Sequence, residues 1–291
     1  VVTSAILLSA CSSKGSTSNK QKTLNVTMIQ EPSTADPNKG TDVYSASLVH
    51  QTLEGLYDVT NTGKVVPGVA TKVVKPTNHG KMYTFTLKKN AKWQNGKPVT
   101  AEDFVTSFDR QVDPKTKSQY ASRFQAFKNF ADVQKGSKKP TALGVKALGQ
   151  RKLRVTLTTP DPEFNFRAAT EYYPLNTAAV KKYGQQYGTS SVKTLSNGAF
   201  SLQGWDPSKD AWTYKKNKYF WDAKSVKLPK VHVQVVKEPS TAQNLFASGK
   251  IQETLITGEF VKQDAKRYPK NIVYTKKGQM RFLSFSAKNK T

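Results

Sequence analysis

The chain of 291 residues carries 46 Lys and Arg against 20 Asp and Glu, a formal net charge of +26. Hydrophobic residues make up 36% of it and aromatic residues 10%, which is enough for a core and excludes a wholly disordered basic chain. One Cys and three His exclude a disulfide framework, a cysteine-based zinc site and a His-rich metal centre.

The amino-terminal segment has the pattern of an export signal. Residues 1–10 are small and apolar, Cys11 follows Leu8-Ser9-Ala10, and a run of Ser, Gly, Thr and Lys begins directly after it. This pattern resembles the lipobox of bacterial lipoproteins, in which the signal is cleaved before the Cys and the Cys is diacylated. We expect residues 1–10 to be the remnant of a signal peptide and residues 11–23 a flexible, lipid-anchored tether. The alternative is a buried free Cys in an ordinary helix.

The first half of the body mixes strands and helices. Alternating residues predict strands over 24–29 and 83–87, with Pro32 and Pro37 marking a turn after the first strand. Apolar residues at helical spacing predict a helix over 45–56. A second helix begins after the sequence Thr100-Ala101-Glu102-Asp103, which is a capping pattern, and buries Phe104, Val105, Phe108 and Val112.

The second half continues in the same way. Strands are predicted over 153–158 and 231–236, a brief helix over 178–183 ending at Gly184, and another helix over 240–248 ending at Gly249. Because there is no regular strand–helix–strand rhythm, the pattern favours a mixed α/β or α+β fold.

The residues provide no positive case for catalysis. The Cys lies in the export signal, no G-x-S-x-G, H-E-x-x-H or Walker loop occurs, and Glu102 and Asp103 are explained by helix capping. We therefore expect no catalytic residues, no metal site and no cofactor.

The positive charge comes from 39 Lys and only 7 Arg, spread as singles and pairs. Specific readers of nucleic acid favour Arg, so this distribution indicates a solvated exterior rather than a nucleic-acid binder. Such a surface should still attract teichoic acids or anionic lipid headgroups, and the attraction should weaken with salt.

Several short motifs are spread along the body of the chain. The longest runs from Tyr83 through Trp93 and Gly96 to Val105. The shorter ones are Asp36-Pro37, Leu53-Glu54-Gly55-Leu56-Tyr57, Val112-Asp113-Pro114, Tyr120-Ala121-Ser122, Asn197-Gly198-Ala199-Phe200, the stretch from Asn217 to Asp222, and Ser240-Thr241-Ala242. Together these motifs resemble the extracellular solute-binding proteins of family 5, and the oligopeptide binders in particular. As parts of a scaffold, Trp93 and the Tyr83, Phe85 and Leu87 face should be core, and Gly96 should occupy a turn with positive φ.

The resemblance implies a periplasmic-binding-protein-like fold of two lobes that close over a ligand. It places residues 24–53 and 178–291 in the main domain of lobe I, with residues 54–177 inserted as a smaller α+β subdomain. Phe282 to Ser286 resemble the last strand before the second lobe, so we expect the chain, which ends at Thr291, to stop before lobe II. A lone first lobe should bind peptides weakly at best, because its cleft is open to water.

The same resemblance nominates ligand-contacting residues. A stretch that pairs with the main chain of the peptide falls on Thr41, Asp42 and Val43, with Asp42 in place of the acidic residue usual at position 41. The pocket Tyr corresponds to Tyr120. A pocket-lining loop falls near Leu255 and Ile256, although Gly249-Lys250-Ile251-Gln252 departs from the motif that precedes that loop.

The function implied is capture of oligopeptides outside the membrane and their delivery to the permease subunits of an ABC importer, without enzymatic activity. We expect a monomer, lipid-anchored through Cys11 to the cell membrane, on the surface of a Gram-positive cell. One alternative is another ligand on the same scaffold: a dipeptide, a pheromone or a nickel chelate. The second is a cationic surface protein or adhesin held by cell-wall polyanions.

Overall fold

The computed structural model describes residues 23–274, which separate into one unit up to Thr254 and a second from Leu255 onward. The strands of the first unit are β1 (Thr23–Met28), β2 (Tyr57–Val59), β3 (Val65–Pro67), β4 (Met82–Thr86), β5 (Val145–Ala147), β6 (Lys152–Thr156), β7 (Phe200–Gln203), β8 (Ala211–Lys216) and β9 (Lys230–Val235). Its helices are α1 (Val43–Thr52), α2 (Ala101–Val112), α3 (Phe130–Gln134), α4 (Phe164–Thr170), α5 (Thr177–Tyr183) and α6 (Pro239–Ala247). The mixed α/β class is confirmed.

Three sheets organise the first unit. The main sheet has the order β1-β9-β8-β7, in which β1 and β9 are parallel and the other pairs antiparallel. Strands β4, β6 and β5 form a second sheet, and β2 and β3 a two-stranded ribbon. The strands of the main sheet therefore come from the beginning and the end of the unit's sequence, and those of the smaller sheets lie wholly between residues 57 and 156. The boundaries at residues 53/54 and 177/178 stay a prediction.

The larger core lies among the smaller sheets, α2 and α4. The face of β4 is buried as expected, with Tyr83 4% exposed and Phe85 fully buried, and Trp93 is also fully buried. Gly96 has φ +82°, and a side chain there would lie 3.3 Å from the ring of Tyr219, so the expected positive-φ turn is confirmed. A second core, built around Trp205, Trp212 and Tyr214, packs on the main sheet.

Helix α2 begins with the expected capping box. The Thr100 hydroxyl accepts from the N–H of Asp103, and the carboxylate of Asp103 accepts from the N–H of Thr100. That buried carboxylate also accepts from Trp93 Nε1 at 3.0 Å and from the N–H of Thr177 at 2.9 Å. Asp103 is therefore a structural residue that joins α2 to the loop before it and to the start of α5.

Helix α1 is shorter than expected. It begins at Val43 and ends at Thr52, because Leu53 has an extended backbone with φ −118° and ψ 148°. Gly55 lies beyond the helix, where an added Cβ would come within 2.8 Å of the carbonyl oxygen of Ala168. Because Gly55 has no side chain, the backbone there can lie close to the backbone at Ala168 in α4.

A buried ion pair fastens the loop after β1 to α2. The Arg110 guanidinium donates to both oxygens of Asp36, at 2.9 and 2.7 Å, and the Asp36 side chain is fully buried. Gly188 also approaches Asp36, and with φ +76° and no Cβ it leaves the space this contact needs. The Asp36 carboxylate and the N–H of Asn38 complete a hydrogen-bonded turn.

A second polar contact joins a residue that precedes the smaller sheets in sequence to two residues that come later in the chain. Trp221 Nε1 donates to Glu54 at 2.5 Å, and Lys88 Nζ lies 3.0 Å from the centre of the Trp221 ring. Loss of water around the Glu54 carboxyl raises its pKa to about 8, although the Trp221 hydrogen bond and the charge of Lys88 oppose the shift.

The second unit contains α7 (Phe260–Arg267). The predicted signal remnant, Cys11, residues 12–22 of the predicted tether and the strand expected at 282–286 lie outside the described residues. The tether was predicted to reach residue 23, but Thr23 begins β1, where it pairs with Lys230.

Replacing Arg110 by Met should lower the free energy of unfolding by roughly 3–5 kcal/mol, because it leaves the Asp36 carboxylate buried without a counter-charge. Urea unfolding followed by circular dichroism measures the loss. The control is Glu163→Gln, which removes an exposed partner of Arg167 and should cost less than about 1 kcal/mol. A loss below about 1 kcal/mol for Arg110→Met would contradict the assignment.

The raised pKa of Glu54 predicts a pH-dependent stability. The folded protein keeps a proton that the unfolded chain releases near pH 4.5, so the free energy of unfolding should fall between about pH 4.5 and pH 8, by at most about 1.4 kcal/mol per pH unit. Glu54→Gln keeps an oxygen acceptor for Trp221 and should flatten this fall. Chemical unfolding at several pH values tests this, with the exposed-site variant Glu163→Gln as control. Parallel curves for Glu54→Gln and the unmodified protein would refute the prediction.

Candidate functional site

The candidate ligand edge, which we define as residues 41–43, runs from the end of the loop that contains Asp36 to the first residue of α1. The ion pair to Arg110 holds the start of this loop, and the N–H groups of Lys39 and Gly40 both donate to the carbonyl of Asp36. The far end of the loop is fixed where α1 begins. The ligand edge is therefore held at both ends.

Asp42 is the N-cap of α1. Its Oδ1 accepts from the N–H groups of Tyr44 and Ser45, and its Oδ2 accepts from the hydroxyls of Ser33 and Ser45 at 2.6 and 2.7 Å. Partial burial alone would raise the pKa of this carboxyl, but these hydrogen bonds hold its pKa below the usual value. Both carboxylate oxygens of Asp42 therefore already accept hydrogen bonds from within the protein.

The main chain of the ligand edge has free donors. Asp42 is extended, with φ −102° and ψ 156°, and Val43 is the first residue of α1. Within residues 23–274 neither the N–H of Thr41 nor that of Val43 has a hydrogen-bond acceptor. Both groups can therefore donate to the main chain of a ligand.

Tyr120 lies beside the ligand edge. Its hydroxyl donates to the carbonyl of Thr41 at 3.2 Å, and the Arg123 guanidinium lies 3.8 Å from the centre of its ring. Arg123 Nε is 3.7 Å from the Glu171 carboxylate. Burial raises the pKa of Glu171, and the charges of Arg123 and Arg167 oppose the rise.

These residues surround a cavity of about 260 Å³. Four of the residues nominated from the sequence line it, namely Thr41, Asp42, Val43 and Tyr120. The sequence reasoning missed other lining residues, among them Ser45, Arg123, Glu171 and Tyr173. Arg123 follows Tyr120 by three residues, and that spacing on a short helical turn is the one signal that points to it. Ligand contact by any of these residues stays a prediction.

Leu255 and Ile256 belong to the second unit. Leu255 is 57% exposed and Ile256 is half-buried. Their part in ligand contact also stays a prediction.

A second cavity, of about 370 Å³, is lined by Arg123, Gln125, Ala126, Arg167 and the stretch Thr159–Pro162. Arg167 there pairs with Asp161 at 3.5 Å and with Glu163 at 2.6 Å, so its charge is already compensated.

Two wider features complete the description of residues 23–274. No group of three or more His, Cys, Asp or Glu side chains within this part is placed to hold a metal ion. None of its helices is long and apolar enough to cross a bilayer.

Known proteins match the chain over most of its length. The model of the bacterial extracellular solute-binding proteins, family 5, matches residues 64–291. A dipeptide-binding protein of Lactococcus lactis is 36% identical over 261 residues, which cover 88% of this chain and 47% of that protein.

Two solved structures are similar to the fold. An oligopeptide ABC transporter substrate-binding domain from Bacillus anthracis has a TM-score of 0.81 and 42% identity, covering 85% of this chain and 47% of that one. Listeria monocytogenes OppA bound to peptide has a TM-score of 0.82 and 36% identity, with 86% and 49% covered. The chain thus spans about half the length of the relatives it matches. On this evidence, the chain belongs to the bacterial extracellular solute-binding proteins of family 5.

Proposed function

We propose that the chain captures oligopeptides outside the membrane, as the peptide-contacting part of a substrate-binding lipoprotein that feeds an ABC importer. The observation that supports this most is the ligand edge, where the N–H groups of Thr41 and Val43 have no acceptor within residues 23–274 and lie beside a cavity with polar and apolar lining residues. A peptide strand can pair with it through main-chain hydrogen bonds alone.

The proposed binding mode favours peptides of many sequences. Main-chain pairing does not depend on the side chains of the ligand. Besides apolar residues, the cavity next to the ligand edge is lined by hydroxyls, a guanidinium and two carboxylates, groups that water can also satisfy. Various peptide side chains can therefore be accommodated there. We propose that Tyr120 orients the edge through its hydrogen bond to Thr41. Ligand contact by Leu255 and Ile256 is a separate proposal that rests on the family resemblance alone.

The proposal includes no enzymatic step, in keeping with relatives that are solute-binding proteins. It also includes a lipid on Cys11, a monomeric state, attachment to the membrane of a Gram-positive cell and delivery to the permease subunits. Because the chain spans about half of its relatives, we propose that peptide binding by this chain alone is weak.

Val43→Pro tests the main-chain contact. Val43 is the first residue of α1, where Pro is well tolerated, and the extended Asp42 suits the position before a Pro. The substitution removes one N–H donor and should weaken binding of tetra-alanine by roughly 2- to 10-fold, with the melting temperature unchanged or raised. Titration followed by NMR measures weak affinities of this kind.

The matched control is Val43→Ala, which keeps the N–H, removes the exposed side chain and should bind as the unmodified chain does. Tetra-alanine should shift the amide signals of Thr41 and Val43 in the unmodified chain. Equal affinities for the Pro and Ala variants, or shifts confined to other residues, would refute strand pairing at this edge.

Acylation of Cys11 is tested in a bacterial host fed with labelled palmitate. The chain should carry the label and partition into detergent, and Cys11→Ala should lose both properties because no other Cys exists in the sequence. Cys11→Ser is a second variant that retains a similar side-chain volume. Label retained in either variant would contradict the assignment.

A further inference from the structure

Ten lysines are concentrated in two short stretches of the chain. Residues 88–97 contain four Lys and no acidic residue, and residues 215–230 contain six Lys and a single acidic residue, Asp222. Seven of these side chains are exposed, and we call these seven the lysine face: Lys89, Lys92, Lys97, Lys215, Lys218, Lys224 and Lys227.

The two stretches pack against each other although about 130 residues separate them in sequence. Asn90 Nδ2 donates to the carbonyl of Trp221 at 3.2 Å, and Lys88 covers the ring of Trp221. Gly96 lies against the ring of Tyr219. The fold thus gathers the lysines of both stretches on one part of the surface.

Cross-strand pairing places like charges together at this surface. Lys215 on β8 is directly opposite Lys230 on β9 in the antiparallel ladder. Like charges in this position destabilise a sheet. The only acidic residue of the two stretches, Asp222, leaves most of the positive charge uncompensated, which is the condition for attracting a polyanion.

The lysine face lies at the end of the main sheet where the chain enters. Thr23, the first residue of β1, pairs with Lys230, the first residue of β9, and the two strands are parallel. The ligand edge follows the opposite, carboxyl end of β1. Eleven residues separate Cys11 from Thr23, a reach of at most about 40 Å when fully extended.

We propose that the lysine face docks on the anionic phosphate headgroups of the membrane to which the protein is tethered. This inference rests on the proposed lipid attachment at Cys11. The segment that follows Cys11 joins the fold at Thr23, beside these lysines, so the attachment would bring the lysine face close to the membrane. Lysine suits the task, because a flexible point charge binds mobile headgroups without needing fixed geometry.

The test uses unacylated protein, so that lipid anchoring and electrostatic docking are separated. The Cys11→Ala chain is sedimented with vesicles of phosphatidylglycerol and phosphatidylcholine, and with vesicles of phosphatidylcholine alone. It should bind only the anionic vesicles, and less as salt rises. Adding Lys→Glu at 215, 218, 224 and 227 should weaken binding by more than about tenfold.

The matched control reverses four exposed lysines, at 135 and 139 in the segment after α3 and at 181 and 182 on α5, and so has the same net charge. It should keep most of the vesicle binding. Equal losses in the two variants would overturn the proposal in favour of diffuse attraction by the net charge. Binding to poly(glycerol phosphate) that depends on the lysine face, without vesicle binding, would overturn it in favour of a cell-wall polymer.

Tetra-alanine binding is measured on the same variants. Vesicle binding without peptide binding would reject the proposed peptide capture and leave the lysine face standing. Peptide binding without vesicle binding would reject only the lysine face.

Discussion

The bidentate pair between Asp36 and Arg110 is the interaction on which the candidate site depends. It joins the loop after β1 to α2, two segments that are 74 residues apart in the chain. The loop it holds leads directly into the cap of α1, so residues 41–43 are held by hydrogen bonds to the carboxylates of Asp36 and Asp42. The carboxylates of Asp36 and Asp42 thus fix the conformation of the ligand edge. The N–H groups of Thr41 and Val43 are the donors that we propose for the ligand.

The ligand edge and the lysine face differ in their chemistry. The ligand edge, which follows β1 in the chain, lies beside a cavity lined by both polar and apolar residues. The lysine face lies near the amino ends of β1 and β9 and consists of exposed positive side chains. Composition alone predicted a general attraction to anionic polymers and lipid headgroups, and the proposed docking assigns that attraction to the lysine face. It also accounts for a cationic protein whose ligand contacts are proposed to depend on neutral main-chain groups.

Local features of the sequence predicted much of the fold. The box of Thr100 and Asp103 and the alternation in β4, β6 and β9 were recognisable because capping and pleating are properties of neighbouring residues. The short strands β2, β3, β5 and β7 are three or four residues long and give no clear period. The pairing of β1 with β9, and the clamp by Arg110, depend on residues far apart in sequence, which no local pattern encodes. Thr41, Val43 and Tyr120 were found only through the family resemblance.

A crystal structure of the chain soaked with tetra-alanine at millimolar concentration tests the central claim most directly. The account predicts a peptide in extended conformation whose carbonyl oxygens lie about 2.7–3.2 Å from the N atoms of Thr41 and Val43. The Arg110 pair should be unchanged in that structure. A peptide bound instead in the cavity beside Pro160, or one that contacts the protein through its side chains alone, would contradict the account.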